Sequence, residues 1–350
     1  MALDSQKMED SRKRPRNAAI ILNWNGLGLL KEFLPQVVSS SDPLVTRVIV
    51  ADNGSTDGSA QWVRGNYGER VEVMQFDRNY GFAEGYNRAI AAVGDYEYVS
   101  LINSDLATDA GWDRVMTAFM DSHPRVGAAQ PKILSYRDPS KFEYAGAAGG
   151  YLDRNGYPYC RGRIFDVCEA DEGQYDADVE VFWASGAALM VRREVYLAAG
   201  GLDPAFFAHM EEIDLCWRIQ LAGYGIATVG AASVRHLGGG SLPAENPRKT
   251  YLNFRNNLLM LHKNLPDSCR RAFLLKRRLL DTLAWAKYAV TFDWGNAAAI
   301  VRAHRDFARM RKAYTRHPDR NLLPETAPGR VNILMKYYLG GCRRFSGLNL

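Results

Sequence analysis

Cysteine is scarce in this chain and poorly spaced for chemistry. Cys160, Cys168, Cys216, Cys269 and Cys342 are five in 350 residues, odd in number and without a C-x-x-C pair. Neither a disulfide framework nor a zinc knuckle is supported, and a reducing cytoplasm fits. No run approaches the roughly 20 apolar residues of a spanning helix. Residues 1–17 are polar and charged, lack the apolar stretch of a secretory signal, and read as a disordered leader. Two phosphate-binding loops are missing as well. There is no P-loop, and after Gly26 and Gly28 the place of the third glycine in the dinucleotide fingerprint holds Lys31. A nucleotide pocket in this chain has to be built another way.

What is present is a chain of strand–turn–helix units. Apolar runs over 18–22, 47–51, 71–76 and 98–102 have strand length, and 29–38 and 82–93 read as helices. That alternation predicts an α/β fold with a mostly parallel sheet flanked by helices. The run at 98–102 ends in Asn103-Ser104-Asp105. A buried strand would deliver Asp105 to the carboxyl edge of the sheet, where open α/β folds bind ligands. One carboxylate beside two small polar side chains there suits a hard divalent cation holding phosphate oxygens. Asn79-Tyr80-Gly81-Phe82 opens a helix whose free N–H groups can meet an anionic or hydroxyl ligand.

Four motifs in order carry a family resemblance. They are Ile21-Leu22-Asn23-Trp24-Asn25, Val50-Ala51-Asp52-Asn53-Gly54-Ser55-Thr56-Asp57, Asn79-Tyr80-Gly81-Phe82-Ala83-Glu84-Gly85-Tyr86-Asn87 and Asn103-Ser104-Asp105. Together they resemble the family 2 glycosyltransferases of GT-A fold, especially the bacterial rhamnosyltransferase-like branch, over roughly residues 18–266. The resemblance implies a Rossmann-like nucleotide-binding half (18–133) and an acceptor half (134–246). It implies a nucleotide-sugar site of Asn23, Asn25, Asp52, Asn79, Gly81, Phe82, Asn87, Asn103 and Ser104, with Asp52 bonding the nucleobase or ribose. Asn103-Ser104-Asp105 stands where the family has D-x-D, with Asn for the first Asp. Asp105 would therefore hold Mn²⁺ or Mg²⁺, joined by His236 through a neutral imidazole.

Downstream, 134–180 is rich in glycine, tyrosine and aspartate with little periodicity, and reads as loops. The strand-like run 182–191 carries a glycine break. In the family it lies under the acceptor, which implies Trp183 and Gly186, Trp183 either stacking on a sugar or filling the core. Glu211-Glu212-Ile213-Asp214-Leu215-Cys216-Trp217-Arg218 resembles the family's E-D-x-D-L-x-x-R stretch. Glu212 is the candidate general base, with Glu211 and Asp214 as rivals. An i, i+4 pair of Asp214 with Arg218 is the competing structural role. The glycines 238–240 would form a lid hinge.

Charge divides the chain. Residues 1–244 hold 23 Lys/Arg against 32 Asp/Glu, and residues 245–350 hold 21 against 7. Basic amphipathic helices over 247–350 suggest docking on an anionic inner leaflet, at the inner face of the cytoplasmic membrane. No recognition motif supports nucleic acid as a partner. The resemblance implies an inverting, metal-dependent transferase of cell-surface polysaccharide synthesis. It would move sugar from dTDP-rhamnose or a UDP-sugar to a saccharide or lipid-linked saccharide. The alternatives are a nucleotidyltransferase, which would need a basic glycine loop that 23–28 lacks, and a non-catalytic sugar- or membrane-binding relative.

Overall fold

The computed structural model describes residues 15–238, 246–348 and 350. A central sheet is built from β1 (Asn17–Asn23), β2 (Thr46–Asp52), β3 (Val71–Gln75), β4 (Tyr98–Ile102), β5 (Leu106–Thr108) and β6 (Val126–Ser135). A small antiparallel sheet follows, of β7 (Gly150–Leu152), β8 (Pro158–Cys160), β9 (Arg163–Ile164) and β10 (Val167–Cys168). β11 (Val179–Val181), β12 (Ala188–Arg192) and β13 (Gly225–His236) rejoin the central sheet, whose order is β11-β13-β6-β12-β4-β1-β2-β3 with β5 on β13.

Helices intervene in chain order: α1 (Leu27–Ser40), α2 (Ser59–Tyr67), α3 (Phe82–Ala92), α4 (Trp112–Ser122), α5 (Arg193–Ala198) and α6 (Glu211–Leu221). After the sheet come α7 (Pro247–Asn264), α8 (Asp267–Val290) and α9 (Trp294–Met310). None of the described helices is long and apolar enough to cross a membrane.

β1 shows why the sheet is covered on both faces. Ala18 and Ile20 enter one hydrophobic cluster, and Ala19 and Ile21 enter the other. This is the period-2 alternation of a strand with no solvent face. β1 through β4 are parallel, whereas β12 runs antiparallel to both β4 and β6. The mostly parallel expectation thus describes the first half of the sheet, and the second half is mixed.

Three boundaries differ from the sequence reading. Asn17 is buried at the start of β1, and Arg16 pairs with Glu97 and Asp121, so ordered structure begins inside the expected leader. The 134–180 stretch contains the small sheet rather than loops alone; its strands are two or three residues long, too short to show periodicity. The basic stretches 273–280 and 283–292, which read as separate segments in the sequence, fall on one continuous helix that ends at Val290, α8. Two of the three glycines expected to form the hinge, 239 and 240, lie outside the described residues.

Candidate active site

At the carboxyl edge of β1 and β2 the turns are knitted by their own polar side chains. The Asn23 amide donates to Asp52 Oδ2 at 3.3 Å and to Ser55 Oγ at 3.2 Å, and the Ser55 N–H donates to Asp52 Oδ1 at 2.9 Å. Asn25 Oδ1 accepts from the Thr56 N–H at 2.8 Å. Asn53 reaches the next turn: its amide donates to Asn79 Oδ1 and the Gly81 carbonyl at 3.0 Å, and its Oδ1 accepts from the Tyr80 N–H at 2.9 Å. Gly81, at φ +79°, turns the chain into α3.

Two expected ligand contacts change role here. Asp52 is fully buried with both oxygens engaged, so it builds the turn that a ligand would meet. Asn87 faces away: its amide donates to the Leu202 carbonyl at 2.7 Å, and its oxygen accepts from the Leu202 N–H and the Tyr196 hydroxyl. A side-chain amide so saturated pins α3 to the 200–202 loop. Asn25, Asn79 and Trp24 are among the exposed groups at this edge, the last 57% exposed and not singled out from the sequence.

Asp105 and His236 are 131 residues apart and adjacent in space, because β5 pairs with β13 so that Leu106 faces His236. His236 Nε2 lies 3.1 Å from Asp105 Oδ1 and 3.3 Å from the Asn103 amide, while Nδ1 lies 3.2 Å from Glu143 Oε2. Burial would lower the imidazole pKa, but the adjoining Asp105 and Glu143 carboxylates outweigh it and push it up to about 10. Two carboxylates thus converge on a buried position that draws a positive charge. One carboxylate, one imidazole nitrogen and a neighbouring amide fit a divalent cation that takes its remaining ligands from phosphate. Glu143 then resembles the outer carboxylate that orients a ligating histidine. No cluster of three His, Cys, Asp or Glu side chains forms a closed cation cage among the described residues. Glu143 was missed because 134–149 carries no pattern.

The third element is the N-terminus of α6. Phe207, His209 and Met210 have φ of +68°, +69° and +74°, a left-handed run that L residues rarely adopt. It is held from α7: the Asn256 amide donates to the carbonyls of Phe206, Ala208 and His209 at 2.9, 2.8 and 2.7 Å. Arg255 donates to Ala205 and Phe206 carbonyls and to Asn256 Oδ1. Sequence reading placed Arg255 and Asn256 only in a helix; strain 50 residues away leaves no local signal.

That loop delivers three acids to different fates. Asp214 is fully buried and bonded by Arg218 and Lys263 at 2.9 Å and by Asn264 at 2.8 Å. Burial would raise its pKa, but Arg218 and Lys263 hold it below its usual value. It is a structural anchor, and its candidacy as a base falls. Glu211 and Glu212 each keep an Oε2 without a hydrogen-bond partner. Burial pushes Glu212 up to about 7 against the N–H groups of the helix start, and burial next to Glu212 raises Glu211 well above its usual range.

A Cβ on Gly186 would lie 3.5 Å from Glu212 Cβ and 3.7 Å from the Phe82 ring. Three residues expected separately for acceptor, base and donor therefore meet. Trp183 does not join them. It is buried, donates from Nε1 to the Tyr151 carbonyl at 3.1 Å, and lies so close to Gly150 that a side chain there would overlap the ring. It fills the core because the 182–187 segment bridges to β7, which turns the indole inward.

The family model for glycosyl transferase family 2 matches residues 18–173. An N-acetylglucosaminyl-diphospho-decaprenol L-rhamnosyltransferase of Mycobacterium tuberculosis is 30% identical over 223 residues, covering 59% of this chain and 71% of that protein. The chain belongs to the family 2 glycosyltransferases. A pre-mycofactocin glycosyltransferase of the same organism is 27% identical, covering 54% of this chain and 37% of its own length. Among solved structures, GalNAc-T7 with UDP, GalNAc and Mn²⁺ superposes with a TM-score of 0.55 at 12% identity, over 71% of this chain and 48% of that one. S. aureus TarS 1–349 with UDP-GlcNAc gives 0.50 at 15%, over 74% and 70%. The architecture is that of GT-A glycosyltransferases, and the candidate residues gather where the β-strand carboxyl edge meets α6.

Proposed function

We propose that this glycosyltransferase moves a sugar, with inversion, from a nucleoside-diphosphate donor to a saccharide or lipid-linked saccharide acceptor in cell-surface polysaccharide synthesis. The observation that carries the reading is the meeting of Glu212, Gly186 and Phe82, with an unpartnered carboxylate oxygen raised to about 7. The Glu212 carboxylate takes the proton of the acceptor hydroxyl. The oxygen then forms its bond to the anomeric carbon from the face opposite the diphosphate, and the bond to the diphosphate breaks with its electron pair. One nucleoside diphosphate leaves for each glycosidic bond made.

The exposed Asn25, Asn79 and Trp24 line the entry for the nucleotide, on turns organised by Asn23, Asp52 and Asn53. Asp105 and His236, flanked by Asn103 and Ser104, would hold Mn²⁺ or Mg²⁺, which supplies charge neutralisation to the departing diphosphate. The name of the mycobacterial relative gives a diphospho-decaprenol-linked sugar and L-rhamnose, which supports a lipid-linked acceptor and dTDP-rhamnose as donor. A UDP-sugar is the other donor in this reading, and the reaction would run at the inner face of the cytoplasmic membrane. In domain terms, 18–133 is the donor half, 134–246 the acceptor half and 247–350 a basic helical region whose first helix supports the site.

A thermal-shift panel of UDP, dTDP, GDP and CDP, each with and without Mn²⁺, tests the reading. A rise for one nucleotide that needs the metal is expected and is lost in Asp105→Asn. No rise with any nucleotide overturns it.

A further inference from the structure

Helix α8 is built inside out. Over its 24 residues the two fully buried side chains are Arg277 and Asp281, not its leucines. The Arg277 guanidinium lies 3.8 Å from the centre of the Tyr157 ring, donates to the Asn155 carbonyl at 3.1 Å and to Asp281 Oδ1 at 3.3 Å, and bonds Asn257 Oδ1. His304 bonds the other Asp281 oxygen at 3.0 Å. These polar, directional contacts, with Cys269, Phe273 and Leu274 packed partly buried against the core, attach the helix to the body on one side. On the other face Leu275, Leu279 and Leu283 are 63%, 65% and 67% exposed, and Val290 continues the row.

At 100° per residue these four fall within an arc of about 80°. Arg271 and Arg278 border the arc on one side, and Lys276 and Lys287 border it on the other. All four are exposed, and none has an acidic partner among the described residues. The stripe runs on into the α8–α9 turn through Phe292 and Trp294, both more than half exposed.

We propose that this face of α8, with the α8–α9 turn, lies in the plane of an anionic lipid bilayer, its leucine row sunk into the interface and its four cations among the headgroups. An apolar stripe walled by cations on both sides matches a surface that is apolar at the centre and negative at its rim. A second copy of this chain presenting the same face would set four cations against four. The proposal sharpens the membrane-face reading made above by naming the surface. It also adds insertion of the leucine row to the docking on an anionic leaflet expected from the basic amphipathic helices.

The test is flotation of the full chain with vesicles of phosphatidylcholine alone or of phosphatidylcholine with phosphatidylglycerol. Wild type is expected to float with the anionic vesicles. The triple variant Leu275→Ser, Leu279→Ser, Leu283→Ser is expected to bind at least about tenfold more weakly. Lys276→Gln and Arg278→Gln should each cost about fivefold, the Boltzmann factor of roughly 1 kcal/mol per surface charge. These side chains are exposed, so each variant should keep the wild-type melting temperature and nucleotide-dependent shift. That separates a failure of docking from a failure of the catalytic reading. Absence of flotation, equal flotation of the serine variant, or a dimer dispersed by the serine substitutions would overturn the proposal.

Discussion

The donor edge and the α6 terminus treat polar groups in opposite ways. At the ends of β1 and β2, Asn23, Asp52, Asn53, Ser55 and Asn79 bond one another at 2.9–3.3 Å, with both Asp52 oxygens engaged and only the neutral Asn23 Oδ1 among these side chains buried without a partner. At α6, two carboxylate oxygens are left without partners on a backbone forced into the left-handed region. The first arrangement is rigid before any ligand arrives, which lowers the ordering cost of binding. The second stores unfavourable electrostatics where a proton must be accepted, the trade that catalytic groups make at a cost in stability.

Glu212→Gln breaks the contrast at its sharpest point. Turnover is expected to fall by about 10²–10⁴, the contribution of a positioned base. Residual turnover within a few-fold of wild type would reassign the base to Glu211. In the wild type, kcat/KM should drop about tenfold per pH unit below about 7, because the base must be unprotonated. Stability moves the other way. A carboxyl whose folded pKa lies above its unfolded value of 4.5 destabilises the fold once pH exceeds 4.5, fully so above about 7. The glutamine variant should therefore melt higher than wild type at pH 8 and lose that advantage at pH 4, which thermal melts read directly.

Asp214→Ala is the opposite experiment two residues away. It strips Lys263 and Arg218 of a carboxylate in a buried setting, where breaking a pair costs about 3–5 kcal/mol. Lys263 keeps Asp203 at 2.6 Å, so the loss should sit near about 3 kcal/mol, seen as a lowered melting temperature. A variant that melts like wild type would contradict the anchor role.

These two acids also show what was legible beforehand. The i, i+4 spacing of Asp214 and Arg218 is a local pattern, and the pair forms as that spacing implies. The meeting of Glu212 with Gly186 and Phe82 depends on β12 inserting antiparallel between β4 and β6, which no window of sequence encodes. The donor motifs were readable because each lies at the end of an apolar strand. Their division into buried turn-builders and exposed groups was not, since both Asp52 and Asn25 bond neighbouring turn residues and their burial is set by the fold around them. Trp183 stayed open between sugar stacking and core filling for a similar reason, as its place is decided by the backbone of Gly150, 33 positions earlier.

Asn256→Ala probes the clamp that makes the α6 terminus possible. Three carbonyls lose their shared donor, at about 1–3 kcal/mol in stability. Turnover should fall at least about tenfold, since misplacing a base by a fraction of an ångström is costly. Donor-induced thermal shift should persist, because Asn256 touches nothing at the donor edge. The pH dependence of kcat/KM should also move, as Glu212 would no longer sit at its buried position. A drop in stability with an unchanged pH profile would make Asn256 a fold element alone.

The smallest effect is expected at the satisfied edge, where it is the most diagnostic. Asn79 accepts from Asn53 and from the Gly81 N–H, and its own amide group is free to face a ligand. Asn79→Ala removes two acceptor contacts at about 0.5–1.5 kcal/mol each. Asn79→Asp keeps both acceptors and places a negative charge beside the mouth. A turn that only needs organising would be restored by the aspartate, in melting temperature and in nucleotide-induced shift alike. A side chain that meets the anionic donor would not: stability would return while the nucleotide shift stayed several-fold weaker. The second outcome is expected, because the free end of the Asn79 amide is the part of that turn left without work in the fold.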